Sequence, residues 1–155
     1  MTPNLAAEKI RIQANLTEIV SLFEGAAELL EELQGRIKIA LATMSSRKVV
    51  AKLLPEKRIE GYFDVVVTVD EIVSPKPDPE VFRVSAKKLG VDPKDCVVVE
   101  DSVFGVRAAK AAEMKCIAVP SGAYNIEELQ EENPDLMINS LTEKERILDF
   151  IFSGM

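Results

Sequence analysis

Glu100 and Asp101 end an apolar run, Val97-Val98-Val99, and a helical pattern starts at Ser102. A short Val-rich run of this kind is what a strand buried on both faces of a parallel sheet looks like. Ligands of open α/β sheets bind at the carboxyl ends of such strands, so two adjacent acids there form a ready seat for a hard divalent cation. Two other groups follow the same logic. Residues 37–42 read as a buried strand leading into Thr43, Ser45 and Ser46, hydroxyls at the N-terminus of a helix and so a natural phosphate site. Lys76 stands between Pro75 and Pro77 in the loop beyond a strand predicted over 65–68, a point charge suited to an anionic oxygen. Hydroxyl, ammonium and paired acids at one sheet edge describe a site for phosphate and Mg²⁺, which takes oxygen ligands from one or two carboxylates, phosphate and water. Singly, each has an ordinary explanation: turn and cap residues, a solvated loop charge, acids complementing a helix dipole. Their conjunction, in order and at successive strand ends, favours the site.

Those residues need a frame. Leu29, Leu30 and Leu33 with Ala26 give a helical stripe between Gly25 and Gly35. Ser45 or Ser46 caps a helix predicted to run to Leu54 and halt at Pro55. Asp78 as N-cap, with Pro79 at the first helical position, starts another that Gly90 closes. Further strands are expected at 96–100, 116–119 and 136–138, and Thr142 with Glu145 suggests a capping box for a last helix. Strands alternating with helices predict an α/β fold, a Rossmann-like parallel sheet with helices on both faces. Residues 5–22 read as one or two helical segments with a weak apolar stripe.

The bulk properties exclude several classes. A chain of 155 residues suits one domain with a real core. A net charge of −7 argues against nonspecific binding to nucleic acid or anionic membranes. No apolar stretch approaches the roughly 20 residues that span a bilayer, and Met-Thr-Pro-Asn is no signal peptide, so a soluble cytoplasmic protein is expected. There is no His, which removes Ser-His and Cys-His catalysis and the common zinc sites. Cys96 and Cys116 match no zinc spacing and read as buried, inert thiols.

Three stretches carry a resemblance: Leu41-Ala42-Thr43-Met44-Ser45-Ser46, Lys76-Pro77-Asp78-Pro79-Glu80-Val81-Phe82, and Val97-Val98-Val99-Glu100-Asp101-Ser102-Val103-Phe104-Gly105-Val106-Arg107-Ala108-Ala109. They resemble motifs II, III and IV of the haloacid dehalogenase (HAD) superfamily, in its β-phosphoglucomutase and phosphoglycolate-phosphatase-like branch, over roughly residues 22 to 140. The resemblance implies that Thr43 and Lys76 hold a transferring phosphoryl group, that Glu100 and Asp101 hold Mg²⁺, and that Ser45, Ser46 and Arg47 contact substrate. It implies a small phosphorylated metabolite as substrate.

Motif I, Asp-x-Asp-x-Thr/Val, is absent: the first aspartate of any kind is Asp64. In the family its first Asp attacks phosphorus and its second is general acid and base. Residues 1–22 resemble the end of a helical cap or linker, and 23–155 a HAD-like core without its central motif I strand and most of its cap. Three outcomes follow for the gap between the strands ending at Thr43 and Glu100: direct pairing, a strand supplied by another chain, or a domain-swapped homodimer. Ile10-Arg11-Ile12-Gln13 alternates like a strand but is too polar for a central one. The reading is a Mg²⁺-dependent phosphatase or phosphomutase part, inactive alone for want of its nucleophile. The alternatives are a non-catalytic phosphate- or Mg²⁺-binding pseudo-enzyme or interaction module, and an enzyme completed by another chain.

Overall fold

The structure is a computed structural model that describes the backbone at 4–7, 13–14 and 20–21, together with residues 23–121 and 123–153. Its strands are β1 (Asn4–Ala7), β2 (Gln13–Ala14), β3 (Val20–Ser21), β4 (Ile39–Ala42), β5 (Val65–Val67), β6 (Cys96–Glu100), β7 (Lys115–Ala118) and β8 (Leu136–Met137). Six of them form one parallel sheet in the order β5-β4-β1-β6-β7-β8, while β2 and β3 pair antiparallel. The helices are α1 (Ala26–Leu33), α2 (Arg47–Glu56), α3 (Glu80–Leu89), α4 (Val103–Ala111), α5 (Ile126–Gln130) and α6 (Lys144–Phe152). Among the described residues no helix is long and apolar enough to cross a membrane.

Alternation along the strands divides the core into two layers. Ile39, Leu41, Val97 and Val99 pack with Leu29, Leu30 and Leu33 of α1, Val50 and Leu54 of α2, and Ile147 and Ile151 of α6. Val67, Val98 and Cys116 pack on the opposite face with Val81, Phe82 and Ala86 of α3, Val106 and Ala109 of α4, and Leu129 of α5. Parity along β6 therefore turns Glu100 toward the α3 and α4 side, with Cys96 and Val98. Both thiols are free and buried, as the sequence suggests. Burial, then Asp95 and Asp92, pushes the Cys96 thiol up to about 11, and burial raises that of Cys116.

One local device recurs at the two outer strand pairs. Asp64, just before β5, donates its N–H to the Ile39 carbonyl and accepts the Ile39 N–H at Oδ2, both at 2.8 Å. Asp135, just before β8, does the same to Cys116, at 2.9 and 2.8 Å. Each aspartate extends its sheet by one reciprocal pair, satisfying a backbone N–H at a strand start.

Several sequence expectations are corrected. The helical reading of 5–22 fails at 5–7, 13–14 and 20–21, which are extended. None of the three outcomes expected for the gap between β4 and β6 is the one seen: the chain's own Asn4–Ala7 occupies it, with Leu5 opposite both Ile39 and Val97. Ala-Ala-Glu-Lys favours helix locally, but two strand edges with unpaired backbone groups outweigh that preference. Of Ile10-Arg11-Ile12-Gln13, Gln13 is in strand β2 and the others lie outside the described residues. Helix α2 continues through Pro55 to Glu56, because Lys57 N–H to Leu53 and Arg58 N–H to Pro55 close the last turn around the missing donor. Asp78 caps α3 through the Glu80 N–H at 2.9 Å, although the helix proper begins one residue later than expected. The Thr142–Glu145 capping box does not form. Glu143 instead takes the N–H groups of Asn139 and Ser140 and the Arg146 guanidinium.

Candidate active site

The sheet's carboxyl edge gathers the residues that the sequence points to. Strand β4 delivers Thr43, whose N–H donates to the Val67 carbonyl at 2.9 Å, keeping it in line with β5. Its Oγ1 accepts the Ser45 N–H at 3.0 Å, a local turn that presents the hydroxyl at the start of α2. Ser46 is the N-cap of α2 and accepts from Val49 N–H at 3.3 Å. Ser45 is exposed and Thr43 half-buried.

Arg47 is held on its own loop system. Its N–H donates to Asp70 Oδ2 at 2.7 Å and its guanidinium is paired with Glu71. Glu71 also pairs with Lys88 and accepts the Thr68 N–H. Val69 N–H donates to the Ser45 carbonyl at 3.3 Å. The β4–α2 and β5–α3 loops are thus stitched together ahead of Lys76. Glu80, in the first turn of α3, then gathers the 73–76 stretch by accepting the Val73 and Ser74 N–H groups at 3.1 and 2.8 Å.

Lys76 reaches across to the end of β6. Its Nζ stands 2.7 Å from Glu100 Oε2, with side chains 7% and 0% exposed, and 5.0 Å from the centre of the Phe82 ring. Glu100 Oε1 accepts the Asp101 N–H at 3.1 Å and the Ser102 hydroxyl at 3.4 Å. Asp101 is 1% exposed. An ion pair this buried is retained only where geometry and extra hydrogen bonds offset desolvation, and the Phe82 face adds a further favourable contact for the ammonium. Glu100 and Asp101 are oxygen donors of the kind Mg²⁺ accepts. Among the described residues no group of three or more His, Cys, Asp or Glu side chains converges as a metal cage.

Lys76, Glu100 and Asp101 are therefore brought together, and Thr43, Ser45 and Ser46 form a second cluster. Thr43 follows β4 and Glu100 ends β6, the two strands that flank β1 and so run about 10 Å apart by strand spacing. Asn4-Leu5-Ala6-Ala7, which separates them, contains no carboxylate. The residue pattern assigns no role to Asp70, Glu71, Glu80 or Gly105, all of which shape the site. A signal exists for Glu80, since an acid at a helix start following two prolines is placed to accept loop N–H groups.

A cleft of about 570 Å³ lies at the opposite, amino edge, lined by Gln34, Arg36, Lys38, Tyr62, Asp64 and Val91 among others. Three of its polar groups are taken up by backbone partners. Lys38 donates to the Leu89 carbonyl, Asp64 holds Ile39, and Gln34 donates to the Gly61 carbonyl. It is remote from the buried charges.

Comparison with known proteins gives a consistent answer. Residues 3–119 match the model of the family described as haloacid dehalogenase-like hydrolase. The chain is 36% identical over 143 residues to the CBBY-like protein of Arabidopsis thaliana, covering 88% of this chain and 44% of that protein. It is 39% identical over 111 residues to the phosphorylated carbohydrates phosphatase of Thermotoga maritima, 71% of this chain and 50% of that protein. The chain thus spans about half the length of these relatives. Among solved structures, CbbY from Rhodobacter sphaeroides in complex with phosphate superposes with a TM-score of 0.74 at 31% identity, over 82% of this chain and 57% of that one. The β-phosphoglucomutase of Clostridium difficile gives 0.74 at 29%, over 86% and 57%. With its parallel sheet, its buried Lys76–Glu100 pair and a family match over most of its length, the chain belongs to the haloacid dehalogenase-like hydrolase family.

Proposed function

We propose that this chain is the phosphate- and Mg²⁺-binding part of a phosphatase- or phosphomutase-type hydrolase acting on a small phosphorylated metabolite. The observation that carries the reading is the buried Lys76–Glu100 pair beside Asp101 at the carboxyl edge of β6. Relatives named as a phosphorylated carbohydrates phosphatase and as CbbY bound to phosphate support the substrate class. In this reading Lys76 and the Thr43 hydroxyl bind phosphoryl oxygens from two sides, and Ser45 and Ser46 meet the remainder of the substrate. Glu100 keeps Lys76 in place, and Asp101 with Glu100 would hold Mg²⁺. When bound, Mg²⁺ supplies Lewis-acid neutralisation of phosphoryl charge.

Covalent turnover needs a carboxylate nucleophile. No aspartate precedes Asp64 in this chain, so completion calls for a segment carrying Asp-x-Asp from outside this sequence. Such a strand must displace Asn4–Ala7 from between β4 and β6. The test has two steps. NMR titration of the chain with MgCl₂ and inorganic phosphate should move the amides of Thr43, Lys76 and Asp101. Adding a peptide spanning a family motif I strand should then give Mg²⁺-dependent release of phosphate from sugar phosphates. Binding without turnover in the complemented sample favours a non-catalytic binding module. No response in the first step defeats both readings.

A further inference from the structure

Glu100 reaches Lys76 by passing directly over the third residue of α4. A methyl group built on Gly105 would lie 1.9 Å from Glu100 Cδ, 2.0 Å from Cγ and 2.4 Å from Oε2. No Cβ tolerates such distances, and the atoms in the way are the carboxylate itself and the carbon that carries it. Glu100 has little room to retreat, being 0% exposed and bonded to Lys76, the Asp101 N–H and the Ser102 hydroxyl. Ser102 in turn accepts the Gly105 N–H at 2.9 Å, so the first turn of α4 and the carboxylate share one network. Helix propensity favours Ala over Gly within α4, so the local preference runs against the residue present. Gly105 has no positive φ to explain it.

We propose that Gly105 is a positioning residue for Glu100: its bare Cα is the floor on which the carboxylate lies, and that floor sets the Lys76–Glu100 pair in register with Asp101. The consequence for metal rests on the reading that Glu100 and Asp101 hold Mg²⁺. The consequence for packing does not.

The experiment combines an unfolding cycle with a Mg²⁺ titration on the full chain. Gly105→Ala should lower the denaturation midpoint of the parent, yet leave that of a Glu100→Ala variant equal or higher, because the obstructing side chain is gone. A parent that fails to fold as Gly105→Ala while Glu100→Ala/Gly105→Ala folds supports the proposal equally. Equal destabilisation in both backgrounds, or loss of folding in both, overturns the proposal, because the glycine would then serve something other than Glu100. With Mg²⁺ alone as probe, Gly105→Ala should weaken binding about tenfold, the effect usual for a residue that orients a ligand. Unchanged affinity overturns the positioning role. If the parent itself binds no Mg²⁺, the metal reading falls, while the unfolding cycle still decides whether Gly105 seats Glu100.

Discussion

The two edges of the sheet make opposite uses of their polar groups. At the amino edge there is space, a cleft of about 570 Å³, but its Gln34, Lys38 and Asp64 side chains complete backbone hydrogen bonds of neighbouring segments. At the carboxyl edge charge is buried: a Lys–Glu pair 7% and 0% exposed, next to an aspartate at 1%. Strand direction accounts for part of this asymmetry. Parallel strands end together, and the loops after β4, β5 and β6 bring Thr43, Lys76 and Asp101 to one side, whereas the preceding loops return to the other. The carboxyl edge is thus marked by buried paired charge, and the amino edge by a cleft whose polar groups serve the backbone.

The largest expected effect breaks the carboxyl edge. Lys76→Met should cost about 3–5 kcal/mol in chemical denaturation by leaving Glu100 buried and uncompensated, and Lys76→Met/Glu100→Gln should recover much of it. A loss below about 1 kcal/mol would mean that Glu100 is far better solvated than its burial indicates.

The matching change at the amino edge should be milder. Asp64→Ala removes the acceptor of the Ile39 N–H, costs about 1 kcal/mol, and leaves the Mg²⁺ titration untouched. A weakened Mg²⁺ response would show the two edges to be coupled.

Strand β6 runs from one edge to the other, starting at Cys96 and ending at Glu100. Because the Cys96 thiol is raised to about 11 from 9.0, its burial favours the folded state below pH 9 and that contribution fades between pH 9 and 11. Alkylation at pH 8 should accordingly follow global unfolding. Rapid labelling of native protein would contradict the buried placement.

The smallest effect concerns an exposed pair. Arg146, with help from the Asn139 N–H, holds the Glu143 carboxyl below its ordinary 4.5. Its folded value lies under the unfolded one, so its contribution is complete above about pH 4.5 and is lost as pH falls through the lower folded value. The Asn139 and Ser140 amides should titrate below that point with little change in overall stability; a midpoint above it would contradict the geometry.

Much of the fold and site is legible in residue order. The Val run into Glu100-Asp101, the stripe Leu29-Leu30-Leu33 and Gly90 at the end of α3 depend on local pattern, and the structure follows it. Helix α5 escapes the sequence pattern although Asn125 and Glu128 form a reciprocal cap there; five residues are too few for periodicity to show. The Thr142–Glu145 pattern misleads because Glu143 has backbone partners closer by. Residues 5–7 belong to the stretch 5–22 that reads as helical from a weak apolar stripe, a reading that two open strand edges override.

Sequence alone determined the three stretches that resemble family motifs, the lack of any aspartate before Asp64 in this chain and the types of group at the candidate site, since these depend on residue identity and order. Only the tertiary structure decided that Asn4–Ala7 lies between β4 and β6, that Lys76 spends its charge on Glu100, and that Gly105 leaves room for that carboxylate. Those are contacts between residues 24 or more positions apart or on different elements, set by packing and desolvation rather than by any local preference.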